Sequence, residues 1–440
     1  MTNQNAPTRI LVVGGGYVGM YTALRLQKKL HAREARITVV DPQPHMTYQP
    51  FLPEAAAGSI EPRHVVVPLR RVLKKAHVLT GRVEKVEHAT KRAWVSNSDG
   101  STEILSYDYI VMSPGSIART LPVPGLSSRG IAFKTIGEAI YLRNHVLSRL
   151  DAASVTQDPE RRRRLLTFMV VGGGYAGIEA LAELEDMSRH ACRYYGGISP
   201  EDLRWVLVEA TGRVMPEVSP EMGVYTIERL SDRNIEVYLE TRVETMVDGN
   251  VRLSDGTEFS CETIVWTAGV KANPMLANTD FPLDARGRLR CTAQLAVTEV
   301  SDAWSAGDCA AVPDLSKADT DPEATCSPSA QHAVRQSKVL AANVIAAVRG
   351  TEAKDYKHAY VGSVASLGLY RGVADVYGVK LKGWPAWVMH RTYHLSRMPT
   401  TNRKVHIGVD WLMALIFRRD VVALGQINDP KAEFDRAAAS

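Results

Sequence analysis

The 440-residue sequence lacks the residue patterns of several common functional classes. Its five cysteines include no C-x-x-C pair, and such an odd, scattered set suits a reducing cytosol. The histidines show no H-x-H or H-E-x-x-H spacing, so we expect no dedicated metal site. The net charge of +5 is too small to argue for a nucleic acid partner. No apolar run reaches the roughly 18 residues that span a bilayer, and residues 1–8 are polar, unlike a signal peptide.

The glycine fingerprint of dinucleotide-binding folds, in contrast, is present twice. Each copy follows a short apolar run, at 10–13 and at 168–171, and each opens a segment with helical spacing. Its glycines permit a tight turn, close approach of backbone N–H groups to a pyrophosphate, and packing of helix on strand. The predicted contacts are Gly14, Gly16, Tyr17, Val18 and Gly19, and Gly172, Gly174, Tyr175, Ala176 and Gly177. Two bound dinucleotides imply electron transfer.

An acidic residue ends the second predicted strand after each fingerprint. These residues are Asp41 and Glu209, at the position where a carboxylate binds a ribose hydroxyl. Simple solvation of a strand-end acid is the alternative. The charge of Glu209 would repel a 2′-phosphate and therefore favours NADH over NADPH, although Arg213 lies close by in sequence.

The segments that follow the two fingerprints also correspond. A buried strand with a small-residue turn ends at Gly115 in the first half and at Ala268-Gly269 in the second. Two unrelated strands would be the alternative explanation. A further strand ends in a turn at Asp308, before an apolar-periodic helix predicted over 329–348. The run Arg161–Arg164 is predicted to be a solvated loop.

With two fingerprints, two strand-end acids and the Asp308 turn in this order, essentially the whole chain resembles the type II NADH dehydrogenases, which are flavoproteins with two dinucleotide-binding domains. The resemblance implies an α/β fold with two Rossmann-like domains: a discontinuous FAD domain over 1–120 and 282–350, and an inserted NADH domain over 121–281. A C-terminal amphipathic membrane-docking region would occupy 351–440. Proton pumping is not part of the implied reaction.

The resemblance also assigns cofactor residues by position. For FAD these are Gly14, Gly16, Tyr17, Val18, Gly19, Asp41, Gln49, Pro50, Gly115, Asp308, Ala330 and Gln331. For NADH they are Gly172, Gly174, Tyr175, Ala176, Gly177, Glu179, Glu209, Ala268 and Gly269. The implied catalytic residues are Glu179, near the nicotinamide, and Gln331, where flavin meets quinone. Arg335 and Ser337 depart from the family pattern at the quinone contact.

The electron acceptor is expected to come from outside the chain, because the cysteine pair of disulfide reductases is missing. The family implies a quinone of the menaquinone or ubiquinone type, and a peripheral location on the cytoplasmic side of the cell membrane. A soluble NAD(P)H-dependent reductase of a ferredoxin-like or other protein acceptor is one alternative. A nicotinamide-sensing flavoprotein is another.

The C-terminal region has the composition of an amphipathic membrane-surface segment. Eight basic residues stand against one acid, Asp410, between positions 380 and 419, and three of the seven tryptophans lie there. The basic residues are Lys380, Lys382, Arg391, Arg397, Arg403, Lys404, Arg418 and Arg419. Apolar residues from Val405 to Ile416 recur at helical spacing. The segment therefore favours an anionic lipid interface, with packing on the core or on a second subunit of a homodimer as the alternative.

Overall fold

The computed structural model describes residues 6–358, 362–423 and 431–439. The chain divides into two compact units, each assembled from segments that are distant in sequence. Unit 1 comprises Met1–Thr47, Val66–Ile117 and Val270–Tyr360, and unit 2 comprises Tyr48–Val65, Ala118–Gly269 and Val361–Ser440.

Strands and helices alternate through both units. In chain order, the strands are β1 (Thr8–Val13), β2 (Ala35–Asp41), β3 (His45–Thr47), β4 (Val66–Pro68), β5 (His77–Glu87), β6 (Arg92–Asn97), β7 (Thr102–Ser106), β8 (Tyr109–Met112), β9 (Ser116–Ala118), β10 (Gly130–Ala132), β11 (Thr167–Val171), β12 (Arg204–Val208), β13 (Ile235–Tyr238), β14 (Val243–Thr245), β15 (Asn250–Leu253), β16 (Glu258–Ser260), β17 (Thr263–Trp266), β18 (Val270–Ala272), β19 (Leu289–Arg290), β20 (Ala303–Ser305), β21 (Ala310–Ala311), β22 (Gly362–Ser366), β23 (Gly372–Val376) and β24 (Val379–Lys382). The α-helices are α1 (Tyr17–Lys29), α2 (Leu52–Ala56), α3 (Leu69–Val72), α4 (Leu126–Arg129), α5 (Ile136–Val155), α6 (Pro159–Leu165), α7 (Tyr175–Ala191), α8 (Pro220–Ser231), α9 (Ala330–Arg349), α10 (Trp384–Arg397), α11 (Thr401–Phe417) and α12 (Ala432–Ala439).

Unit 1 is built on a seven-stranded sheet in the order β20-β8-β1-β2-β5-β6-β7. The strands from β20 to β5 pair in parallel, and β6 and β7 are added antiparallel at one edge. Residues 10–13 of β1 are fully buried, as expected of a parallel strand covered on both faces. Helices α1 and α9 pack against each other in this unit.

Unit 2 contains a five-stranded, all-parallel sheet in the order β10-β17-β11-β12-β13. Its central strands β11 and β17 are buried along their whole length. Two small antiparallel sheets, β14-β15-β16 and β22-β23-β24, belong to the same unit. The parallel strands at the centre of each large sheet confirm the predicted α/β fold with two Rossmann-like halves.

Each fingerprint brings the start of a helix into contact with the strand before it. A Cβ on Gly19 would lie 1.7 Å from the carbonyl oxygen of Gly14, and one on Gly177 would lie 1.9 Å from that of Gly172. Gly14 and Gly172 themselves adopt φ values of +94° and +111°, which side chains rarely tolerate. The glycines are therefore required by the close packing of helix on strand.

The loop predicted for the arginine run is wrong, because residues 159–165 form helix α6. Asp158 caps this helix by accepting hydrogen bonds from the N–H groups of Glu160 and Arg161, and a proline occupies its first turn. This combination is a local start signal for a helix. Arg164 pairs with Glu262 at 2.6 Å, so part of the run is anchored rather than solvated.

The C-terminal part of unit 2 combines the β22–β24 sheet with α10 and α11. Only part of the basic surface predicted there is solvent-facing. Arg391 and Arg419 are 6% and 8% exposed, and each is paired with a buried carboxylate. Lys380 and Lys382 both bind Glu221. The expectation that all eight basic residues serve one surface is therefore wrong.

The described helices include none with the length and hydropathy to cross a membrane. Residues 359–361, 424–430 and 440 of the predicted C-terminal region lie outside the described residues.

Replacing Gly177 by alanine is expected to lower the stability of unit 2 by about 1–3 kcal/mol, because the methyl group has no space beside Gly172. Gly174→Ala is the matched control, since no heavy atom lies within 4 Å of its added Cβ. Urea unfolding of both variants without nucleotide measures the difference. Equal midpoints for the two variants would contradict the packing argument.

Candidate functional site

The first fingerprint forms a backbone cradle at the beginning of α1. Gly16 precedes the helix, and an added Cβ there would meet no heavy atom within 4 Å, so the space in front of the helix is open. Asp41, at the end of β2, accepts hydrogen bonds from the N–H groups of Gly15 (2.6 Å) and Gln43 (2.7 Å). Burial raises the pKa of Asp41, and these two donors counteract the rise. The structure thus brings together the predicted glycines and the acid.

The Asp308 turn lies in the same unit, held by hydrogen bonds from two sides. The Asp308 carboxylate accepts a hydrogen bond of 2.6 Å from the Ser116 hydroxyl. The N–H of Gly307 donates to Oε1 of Gln336, a side chain 1% exposed. Because Gln336 is on α9, that helix fixes the turn. Sequence reasoning missed Gln336, although it lies within the segment singled out for quinone contact.

The remaining predicted FAD residues are divided between the units. Gly115 follows β8 with a φ of +68°, and Ala330 and Gln331 are the first two residues of α9, which Ser329 caps. All three belong to unit 1. Gln49 and Pro50 lie in a short 3₁₀ helix of unit 2, where the Gln49 amide donates to the Lys134 carbonyl at 3.3 Å.

The second fingerprint has the same open space and the same hydrogen bond to a strand-end acid as the first. An added Cβ on Gly174, directly before α7, would again meet nothing within 4 Å. Oε2 of Glu209 accepts a hydrogen bond of 2.5 Å from the N–H of Gly173, as Asp41 does from Gly15. Oε1 of Glu209 accepts two further bonds from Thr211. The guanidinium of Arg213 donates to the Val218 carbonyl at 2.6 Å.

The end of β17 lies directly beside this second cradle. The hydroxyl of Thr267 donates to the Val171 carbonyl at 2.9 Å, which ties β17 to the strand before the fingerprint. Ala268 and Gly269 follow, with Gly269 at a φ of +92°. All the predicted NADH residues therefore belong to unit 2.

Glu179, on the first turns of α7, is 7% exposed and engaged by two partners. Its Oε1 accepts a hydrogen bond of 3.0 Å from the N–H of Ser366. Nε2 of His390, on α10, lies 3.0 Å from the same oxygen. His390 was not identified from the sequence, because no local pattern links it to a carboxylate more than 200 positions earlier.

A second buried cluster that the sequence did not indicate surrounds Glu54. This carboxylate, 1% exposed, accepts hydrogen bonds from Arg391 (2.7 Å) and from the indole of Trp411 (2.8 Å). The Arg391 guanidinium also lies 4.0 Å from the ring centroid of Trp387 and 4.8 Å from that of Trp411. The cluster anchors α10 and α11 on α2 in unit 2.

The two cradles fit two dinucleotides. Each offers open space in front of a long helix whose N-terminal N–H groups and partial positive charge suit phosphate. Each also has a carboxylate at the strand end, where a ribose hydroxyl would bind. A chain with two such cradles is of the class of nicotinamide- and flavin-dependent oxidoreductases.

Comparison with known proteins identifies the family. The model of the pyridine nucleotide-disulphide oxidoreductases matches residues 8–337. The chain therefore belongs to that family.

Individual relatives match over nearly the full length. A type II NADH:quinone oxidoreductase of Mycobacterium tuberculosis is 28% identical, with 95% of this chain and 92% of the relative covered. A probable NADH dehydrogenase of Dictyostelium discoideum is 25% identical, over 94% and 90%. The structure of NDH2 from Plasmodium falciparum in complex with NADH has the same fold, with a TM-score of 0.86 at 17% identity over 94% of this chain and 99% of that one. These matches confirm the resemblance to type II NADH dehydrogenases.

Glu209 is expected to set the preference for NADH, because its carboxylate occupies the predicted ribose position. The double variant Glu209→Ala with Ala210→Arg exchanges a negative for a positive charge at an exposed position and should raise the NADPH/NADH ratio of kcat/KM about tenfold or more. Glu244→Ala, which removes a surface acid paired with Arg252, is the control. An unchanged ratio in the double variant would exclude Glu209 as the ribose-binding residue.

Proposed function

We propose that the protein is an NADH:quinone oxidoreductase that passes electrons from NADH through FAD to a membrane quinone without pumping protons. The observation that carries this proposal is the paired cradle, in which both strand-end acids bind the N–H of the middle fingerprint glycine. When bound, FAD supplies the redox chemistry by accepting hydride from NADH and releasing two electrons to the acceptor. The protein binds and orients the two groups and excludes water.

An internal disulfide is a poor candidate for the acceptor. All five cysteines are buried and unpaired. Burial raises the pKa of Cys309, next to Asp308, to about 11, and that of Cys326 also to about 11. Because the thiolate is the reactive form, these side chains are unsuited to dithiol exchange at neutral pH. The electrons must therefore leave to an external molecule.

We assign the residue roles from the two cradles together with the family resemblance. We assign the FAD pyrophosphate to the Gly14–Gly19 turn, with Asp41 on the ribose and Asp308 on the flavin side. NADH is assigned to the Gly172–Gly177 turn, with Glu209 on the ribose and Glu179 near the nicotinamide. The FAD domain would then comprise 1–120 and 282–350, the NADH domain 121–281, and the membrane-associated region 351–440.

Helix α11 supports the membrane part of the proposal. Val405, Val409, Leu412 and Ile416 recur on one face and are 49–60% exposed, and Ile407 is the residue of this helix that is buried. Monomeric soluble proteins rarely expose such a contiguous apolar surface. Arg418 at the end of the helix is exposed, and basic groups there attract anionic lipid. We place the protein at the cytoplasmic side of the cell membrane, bound by this face.

The acceptor is tested by steady-state NADH oxidation with a short-chain quinone, a ferredoxin and ferricyanide, each with and without vesicles. Quinone is expected to be the best two-electron acceptor, with turnover raised by vesicles, because the reaction partner is dissolved in lipid. Rapid ferricyanide reduction with no quinone reduction would contradict the proposal. Activity that needs a protein acceptor and falls steeply with salt would favour the soluble reductase.

Membrane binding is tested with the double variant Leu412→Glu and Ile416→Glu. The variant should partition onto phosphatidylglycerol vesicles about tenfold or more weakly, because its two glutamates do not enter the lipid. Each aliphatic side chain that is buried in an apolar environment contributes about 1.5–3 kcal/mol to the free energy of binding. The control is Val155→Glu, an equally apolar residue that is 75% exposed at the end of α5. Sedimentation measures both binding and mass. A variant that keeps vesicle binding but loses a dimer would assign the face to a second copy instead.

A further inference from the structure

A second carboxylate lies beside the loop that begins at Glu209 in the second cradle. Glu240 follows β13, the edge strand that pairs in parallel with β12. A Cβ added to Gly212, in the loop after β12, would lie 3.5 Å from Oε1 of Glu240. The absence of a side chain at Gly212 therefore lets this carboxylate pack directly against the loop.

Backbone hydrogen bonds hold the loops after β12 and β13 together. The N–H of Glu209 donates to the Tyr238 carbonyl (2.8 Å), and the N–H of Thr241 donates to the Glu209 carbonyl (3.0 Å). Between them, the N–H of Glu240 donates to the Thr211 carbonyl at 3.0 Å. Glu240 adopts a φ of +52°. Few residues with a side chain adopt this conformation, and positions that do so cluster at functional sites.

The two carboxylates differ in how many of their lone pairs are already used. Oε2 of Glu209 accepts a hydrogen bond from Gly173, and Oε1 accepts two from Thr211. A carboxylate offers about four lone-pair sites, so about one remains on Glu209 for a ligand hydroxyl. The Glu240 side chain is exposed and makes no hydrogen bond or ion pair with the described residues. Its negative charge is therefore not neutralised by the parts of the chain that the structure describes.

Arg213, the basic residue of the same loop, is held in another contact. Its guanidinium donates to the Val218 carbonyl at 2.6 Å, and the residue is partly buried. A phosphate-binding loop would need such a cation to be directed at the ligand. The loop instead has an acid at its start, Glu209, and a second acid, Glu240, packed against it.

The first cradle has a basic residue at the corresponding place. Asp41 is in register with Thr80 on β5, the strand next to β2, and Arg82 follows two residues later. Burial raises the pKa of Asp41, and the positive charge of Arg82 is among the influences that counteract the rise. FAD, unlike NAD, has no 2′-phosphorylated counterpart among the redox cofactors, so its cradle has nothing of that kind to exclude. The acid replaces the base in the cradle where discrimination matters.

We propose that Glu240 is a second determinant of nucleotide specificity, which acts with Glu209 to exclude a 2′-phosphate from the second cradle. The inference rests on the part of the proposed function that assigns NADH to this cradle. The 2′-oxygen of the adenosine ribose faces the strand-end acid. A phosphate on that oxygen would bring about −1.5 to −2 charges into the field of both carboxylates. Like charges several ångströms apart in water repel enough to change an equilibrium severalfold.

Fragment binding tests the proposal without turnover. Calorimetry of the holoenzyme with ADP-ribose and with its 2′-phosphate reports on the second cradle, because FAD occupies the first. Glu240→Gln should raise the affinity for the 2′-phosphorylated probe about three- to tenfold, because it keeps the shape of the side chain and removes its charge. The affinity for ADP-ribose should stay within about twofold of the parent.

The matched control is Glu201→Gln. It removes the charge of another exposed glutamate of unit 2, which lies in the short 3₁₀ helix before β12, at the opposite end of that strand from Glu209. Neither affinity should change in this variant. The gain in Glu240→Gln should also shrink between about 0.05 M and about 0.5 M salt, since salt screens exposed charges.

Three results would overturn the role of Glu240. These are unchanged discrimination between the two probes in Glu240→Gln, an equal gain in Glu201→Gln, and failure of ADP-ribose to bind the parent holoenzyme. The acceptor assay gives an independent result. A parent protein that prefers NADH to NADPH but does not reduce quinone would refute the proposed function and leave the role of Glu240 intact.

Discussion

The absence of a side chain at Gly19 and Gly177 is the constraint on which the rest of the structure depends. Each glycine lies so close to the carbonyl of the first fingerprint glycine that a methyl group would overlap it. This contact sets the start of α1 and of α7 against the preceding strand, and it leaves the helix N-terminus open toward a phosphate. The strand-end acids then bind the same turns through the N–H groups of Gly15 and Gly173. Two nucleotide cradles follow from one packing requirement repeated in each unit.

Unit 2 adds a different kind of constraint, in which buried charges fix the C-terminal helices. Glu54 binds Arg391 and Trp411, and Arg419 pairs with Glu183 on α7. Removal of one partner from such a pair leaves an uncompensated buried charge, which is strongly destabilising. With these polar contacts turned inward, α11 presents its apolar side chains to the outside. Docking of α10 on the unit also brings Nε2 of His390 to within 3.0 Å of the Glu179 carboxylate.

The sequence determined the elements whose signals are local. A few neighbouring residues are enough to recognise the two fingerprints, the strand-end acids Asp41 and Glu209, and the helix that begins after Ser329. The α/β fold follows from these elements. The charge run Arg161–Arg164 does not by itself indicate a helix, because the start signal of that helix is the cap at Asp158. The spacing of the five cysteines also limits the chemistry, because no two of them form a C-x-x-C pair.

The tertiary structure alone decided which charges are buried and which groups meet. Arg391 and Arg419 look like Arg403 and Arg418 in sequence, yet the first two are enclosed with carboxylates from helices α2 and α7. Composition counts a charge, but only packing determines whether that charge faces water. Likewise, nothing near His390 predicts a carboxylate partner, because the contact is made by two helices distant in sequence. Local chemistry is encoded by neighbours along the chain, whereas burial and long-range pairing exist only after the chain has folded.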